Sequence, residues 1–222
     1  MQTTTEQPLD WNAARLIKAG TSEEPLVPVT GNQSWITHPA YYESGIKYAL
    51  PDIWVREGVY NRLLHAARAL ENGYQLVLLD GWRPKPLQQY LFDHIRAAVA
   101  ARNPGLSSGE IDELTLNFAA RASDDAISPS PHLTGGAIDV TLADQDGHLL
   151  DMGSKFDEPS DKSWTFAKVT STQAKHRRAL LAAMQSAGFT NLPTEWWHFD
   201  FGNWIWALYS KETTALYGPT SL

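Results

Sequence analysis

The chain is 222 residues long, 43% hydrophobic and 19% charged, which is enough for one sizeable core and typical of a globular rather than a disordered protein. Its formal net charge of −7, with no Lys/Arg run longer than Arg177-Arg178, argues against a nucleic-acid partner, and the absence of cysteine removes disulfides, thiolate metal ligands and cysteine nucleophiles. No apolar stretch approaches the ~20 residues of a membrane span, and Met1 to Glu6 lack the basic and apolar pattern of a leader, so a cytoplasmic protein without a membrane partner is expected.

Residues 1–35 read as an irregular N-terminal arm on a single domain covering 1–222, within a stretch of short strands and turns that reaches residue 50. From Glu57 to Asn72, Val59, Leu63, Ala66, Ala67 and Leu70 recur at helical spacing, and Gly73 follows where a left-handed cap is wanted. Tyr74 to Leu79 reads as a buried strand stopped by Asp80-Gly81. A second helix is predicted from Pro86 to Arg102, because proline suits a first helical turn. Ser107 and Glu110 have capping-box spacing, which opens a third helix towards Arg121. Ser123 to Gly136 is a polar loop. Ala137 to Leu142 reads as a strand, and Asp146-Gly147 turns it into a hairpin with Leu149-Leu150. Residues 151–170 form a long polar loop, of a length that is often functional. A fourth helix is predicted over Thr172 to Ala187, then aromatic strands over Trp196 to Phe201 and Ile205 to Tyr209. This order predicts an α+β fold with a small antiparallel sheet flanked by helices.

Two segments carry the chemistry. In Ser130-Pro-His132-Leu-Thr-Gly-Gly-Ala-Ile-Asp139 a histidine in a Gly-rich loop precedes a carboxylate in the following strand. Imidazole nitrogen and carboxylate oxygen both suit Zn²⁺, although this pair alone equally fits a solvent-facing histidine and a locally capping aspartate. In Glu195-Trp-Trp-His198 a strict strand would send the carboxylate and imidazole to opposite faces, so a turn or bulge is required to bring them together. A surface ion pair and a core histidine fit this segment as well. Together the segments supply three ligands, His132, Asp139 and His198, plus an unliganded carboxylate. That set suits a hydrolytic zinc site with a water in the fourth position, where the free carboxylate takes the proton of the attacking water. Arg83, in Asp80-Gly-Trp-Arg-Pro84 after the first strand, either stabilises an oxyanion or grips a carboxylate, or else pairs with Asp80 or Asp93. His38, His65, His94, His148 and His176 are given no functional role.

These segments resemble the zinc D-alanyl-D-alanine dipeptidases of the VanX type. Ser-x-His-x-x-Gly-x-Ala-x-Asp at 130–139 and Glu-Trp-Trp-His at 195–198 carry the resemblance, with Asp-Gly-Trp-Arg-Pro at 80–84 in support and Trp82 where tyrosine is frequent. It spans roughly residues 35–220. It implies the α+β fold shared with zinc D,D-carboxypeptidases and the hedgehog N-terminal domain, and one Zn²⁺ per chain on His132, Asp139 and His198. It also implies Glu195 as general base and acid, Arg83 on the transition state, and Ser130 beside the metal ligand as a substrate contact. Asp157, or the adjacent Glu158, would grip the ammonium of a small dipeptide, with Tyr41 or Tyr42 as further contacts. D,D- or L,D-carboxypeptidase or endopeptidase activity on peptidoglycan peptides is the alternative, and a non-catalytic zinc module a more distant one. Vancomycin resistance, recycling of cell-wall dipeptides and D-alanine catabolism would share these residues.

Overall fold

The structure, a computed structural model, describes residues 9–222 apart from 117 and 127, so the first eight residues of the expected N-terminal arm lie outside the described residues. The helices are α1 (Trp11–Ala14), α2 (Ala40–Glu43), α3 (Glu57–Ala69), α4 (Lys85–Arg102), α5 (Ser108–Thr115), α6 (Ser171–Ser186) and α7 (Trp204–Ser210). The strands are β1 (Leu26–Pro28), β2 (Trp35–Thr37), β3 (Trp54–Arg56), β4 (Gln75–Asp80), β5 (Ala137–Ala143), β6 (Thr190–Asn191) and β7 (His198–Asp200). β1 and β3 pair as a ribbon, and the other five form a sheet in the order β2-β4-β5-β7-β6. The β2–β4 pair is parallel and the rest of that sheet antiparallel, which gives the expected α+β fold with one parallel edge added.

Alternation along the strands divides the sheet into two faces. Leu76 and Leu78 of β4, Ile138, Val140 and Leu142 of β5, and Phe199 of β7 join one core cluster. Val59, Leu63 and Ala66 of α3 and Leu180 and Met184 of α6 complete it, so those two helices cover that face. The opposite face carries Asp139, His198 and Asp200. A register shift between Leu78 and Asp80 places Asp80 opposite Asp139. Without it, the period of two would send Asp80 into the core with Leu76 and Leu78; a bulge of this kind re-aims a side chain at a site.

Local chemistry sets the helix ends. Ser107 and Glu110 form the predicted capping box, and Thr170 with Gln173 forms a second one at the start of α6. α5 stops at Thr115 rather than near Arg121. α3 ends at Leu70 in extended backbone, and Asn72 and Gly73 take the left-handed turn beyond it. The strand expected over Ile205 to Tyr209 is instead helix α7. Asn203 is its cap, its side chain accepting from the Trp206 N–H at 3.0 Å. The aromatic, β-branched composition that suggested a strand is overridden by this cap and by packing of Trp204, Ile205 and Ala207 against α1 and Ile17.

The N-terminal stretch is not detached. β1 joins β3, and Val29 and Trp35 are buried in the main core. No described helix is long and apolar enough to cross a membrane.

Candidate active site

Three adjacent strands set a row of polar side chains. Asp80 of β4 lies across from Asp139 of β5, and Asp139 lies across from His198 of β7. Directly opposed residues on one face have Cβ atoms about 5 Å apart, so register alone brings these groups together. His132 arrives from the loop before β5, on a short 3₁₀ helix over Pro131–Thr134. Gly135 ends that helix at φ 71°, where a Cβ would lie 2.5 Å from the Leu26 side chain. Glycine therefore lets the loop turn sharply from His132 into the strand bearing Asp139.

His132, Asp139 and His198 are all buried, with one candidate ligand atom from each within 4.8 Å of the others. His132 Nδ1 donates to the Gly81 carbonyl at 2.7 Å, so Nε2 points inward with its lone pair. His198 Nε2 lies 3.1 Å from Asp200 Oδ1, which leaves Nδ1 inward. The two inward nitrogens are 3.2 Å apart, and Asp139 Oδ1 is 3.1 Å from the second. Electron-pair donors converging in this way, with each imidazole proton committed outward, form a set that a cation completes. Burial pushes the Asp139 carboxyl up, but His132 and His198 more than offset it and hold it well below the usual carboxylate range.

Glu195 stands at the edge of this set. The Glu195 N–H donates to the Leu192 carbonyl at 3.0 Å, and the His198 N–H bonds back to the Glu195 carbonyl at 3.3 Å. That turn shortens the expected strand of Trp196 to Phe201 to His198–Asp200, and it brings the carboxylate to 3.9 Å from His198 Nδ1. Burial pushes the Glu195 carboxyl up to about 8, with nearby His198 pulling the other way.

Arg83 is buried and held on three sides. Nε donates to Asp80 Oδ2 at 2.9 Å, Nη1 to Gln88 Oε1 at 2.8 Å, and Nη2 reaches Asp139 Oδ2 at 3.4 Å. Arg83 thus pairs with Asp80 and also lines the cavity over the site, while Asp93 accepts from Gln89. A cavity of about 260 Å³ opens over these groups, lined by Tyr41, Arg83, His132, Asp139, Asp157, Glu195 and His198, with Leu91, Trp197 and Trp204 among its apolar walls.

Residues 52–214 match the model of the D-ala-D-ala dipeptidase family of M15 peptidases. The chain belongs to this family. Among its relatives, a D-alanyl-D-alanine dipeptidase of Synechocystis is 35% identical, over 83% of this chain and 84% of that one. A second, from Escherichia coli, is 32% identical over 71% of this chain and 78% of its own length. Among solved structures, VanYB in complex with D-Alanine-D-Alanine has a TM-score of 0.50 at 16% identity, over 89% of this chain and 92% of that one, a likeness of fold.

Of the remaining residues the family resemblance singled out, Asp157 lines the cavity and Glu158 does not. Glu158 accepts from the Lys155 N–H and the Ser160 hydroxyl. Burial lifts the Asp157 carboxyl to about 6, against the pull of Arg83. Tyr41 is buried on the cavity wall, whereas Tyr42 is half exposed. Ser130 is buried but is not on the cavity wall. Its hydroxyl accepts from the Ser123 N–H and donates to the Arg121 carbonyl, both at 2.9 Å, which braces the loop that delivers His132. Sequence reasoning overlooked Asp200, Gln88 and the Gly81 carbonyl. The signal for Asp200 was present in His198-Phe-Asp200, because residues two apart on a strand share a face.

Proposed function

We propose that this protein is a zinc-dependent dipeptidase that hydrolyses D-alanyl-D-alanine to two D-alanines. The observation that carries the proposal is a cavity holding a three-donor His/Asp/His set, a separate carboxylate on Glu195 and a second one on Asp157. Two nitrogens and one oxygen suit Zn²⁺, which in catalytic sites keeps a further position open. Zinc held there supplies a Lewis acid that lowers the pKa of water towards ~7 and polarises the scissile carbonyl.

The protein supplies the rest. Glu195 takes the proton of the attacking water and delivers it to the departing amine nitrogen. Arg83, immobilised by Asp80 and Gln88, presents a fixed charge where the carbonyl oxygen becomes negative, a contribution of about 3 kcal/mol for a donor of this kind. Asp157 takes the substrate's free ammonium, which restricts the site to peptides with an unblocked N-terminus. Supplying the purified protein with D-Ala-D-Ala and with N-acetyl-D-Ala-D-Ala tests the substrate. Cleavage of the free dipeptide alone is expected; cleavage of the acylated peptide alone would make the protein a carboxypeptidase.

A further inference from the structure

Asp157 sits in a segment with no strand to hold it. From Asp151 to Thr170 the only regular element is a short 3₁₀ turn over Asp161–Ser163. Asp157 itself has φ 57°, a left-handed conformation that is uncommon for a non-glycine residue although aspartate adopts it more readily than most.

Gln173 and His176 of α6 hold the start of the segment at Asp151, and one further α6 side chain grips it on both sides of Asp157. Arg177 of α6 is 4% exposed and spends its guanidinium on backbone carbonyls of that segment. Nε donates to Met152 at 2.6 Å, Nη2 to Lys162 at 2.7 Å, and Nη1 to Trp164. Met152 and Lys162 stand five residues before and five after Asp157, so the clamp closes both flanks of the segment around it. The guanidinium also lies 5.7 Å from the ring of Trp196, whose indole N–H donates to Ser154 Oγ at 2.9 Å. Between the clamped ends, Phe156 packs at 5.4 Å on Tyr41 and 5.6 Å on Trp197, both on the cavity wall. α6 is anchored in the main core through Leu180 and Met184, so Arg177 ties a loop to a rigid element. A charged donor to three carbonyls does this more firmly than neutral bonds would.

We infer that Arg177 is a positioning residue for substrate binding, holding the 151–170 loop so that Asp157 faces the cavity. The inference rests on the ammonium-binding role proposed for Asp157. Arg177 touches neither the metal set nor Glu195, so its loss should weaken capture of the substrate rather than slow the chemistry. A double-mutant cycle separates this from general loosening of the fold. Arg177→Gln is expected to raise KM for D-Ala-D-Ala about tenfold with kcat within about threefold and zinc content unchanged. Arg177→Lys, which keeps the charge but cannot reach all three carbonyls, should fall between, and it serves as the probe if the glutamine variant does not fold. Asp157→Asn should raise KM on its own, and adding either Arg177 substitution to it should change KM no further. If Asp157→Asn leaves KM unchanged, the role of Asp157 itself fails. If Asp157→Asn raises KM but the Arg177 change is fully additive to it, or leaves KM untouched in the parent protein, the positioning role is overturned.

Discussion

Asp200 has no exposed surface, and its Oδ1 accepts from both His198 Nε2, at 3.1 Å, and Asn203 Nδ2, at 2.5 Å. A carboxylate behind a ligating histidine fixes which ring nitrogen faces the metal and raises its basicity, and losing such a partner typically costs 10–100-fold in metal affinity. Asp200→Ala is therefore expected to weaken zinc binding by about that factor in a chelator competition; an unchanged affinity would reduce Asp200 to a packing residue. Asp157 shows the opposite balance, a side chain that costs stability. Its carboxyl is raised from 3.8 to about 6, chiefly by burial, so the folded chain holds the proton more tightly than the unfolded one. Stability then falls as pH rises through that window, and the full cost is present at pH 7. The gap corresponds to roughly 3 kcal/mol. Asp157→Asn should stabilise the metal-free protein at pH 7 by up to that amount and have little effect near pH ~3.5, as read by urea unfolding. An equal gain at both pH values would assign the effect to something other than charge. Residues of this kind are legible in the sequence only by position and chemical type. His132, Asp139 and His198 could be picked out because metal chemistry narrows the choice of side chain. Arg177 could not, because its partners are backbone carbonyls that leave no trace in composition.

Elements were legible wherever a local signal agreed with packing. α4 and α6 began and ended within a residue or so of their predicted limits, and the Ser107 capping box formed with both of its bonds. Ser107→Ala should cost about 1 kcal/mol, the usual worth of such a cap, and leave kcat and KM alone, since α5 contributes none of the catalytic groups. A loss of activity at unchanged stability would contradict that separation. α7 was misread because Trp204-Ile205-Trp206 has strand composition, while the deciding cue was a single cap residue, Asn203. The Glu195–His198 turn is the more instructive case. Pattern alone required some departure from strand geometry if the two were to share a site, and the bond from the His198 N–H to the Glu195 carbonyl is that departure.

At the scale of the whole molecule, the proposed catalytic groups come from separate parts of the chain: Arg83 after β4, His132 before β5, Asp139 within β5, and Glu195 and His198 around the start of β7. The sheet assembles them. β5 pairs with both β4 and β7, so one row across three strands aligns Asp80, Asp139 and His198, while α3 and α6 seal the other face. Strand order and register are long-range properties that no local motif encodes, and the parallel β2–β4 pair and the bulge at Asp80 were accordingly not foreseen. The central claim is that this assembly separates metal binding, by His132, Asp139 and His198, from proton transfer, by Glu195. Zinc content and D-Ala-D-Ala turnover measured together on the parent protein and on Glu195→Gln test it most directly. One zinc per chain in both, with turnover in the parent and a loss of several orders of magnitude in the variant, is the predicted result. Near-normal turnover by Glu195→Gln, or stoichiometric zinc with no hydrolysis by the parent protein, would contradict it.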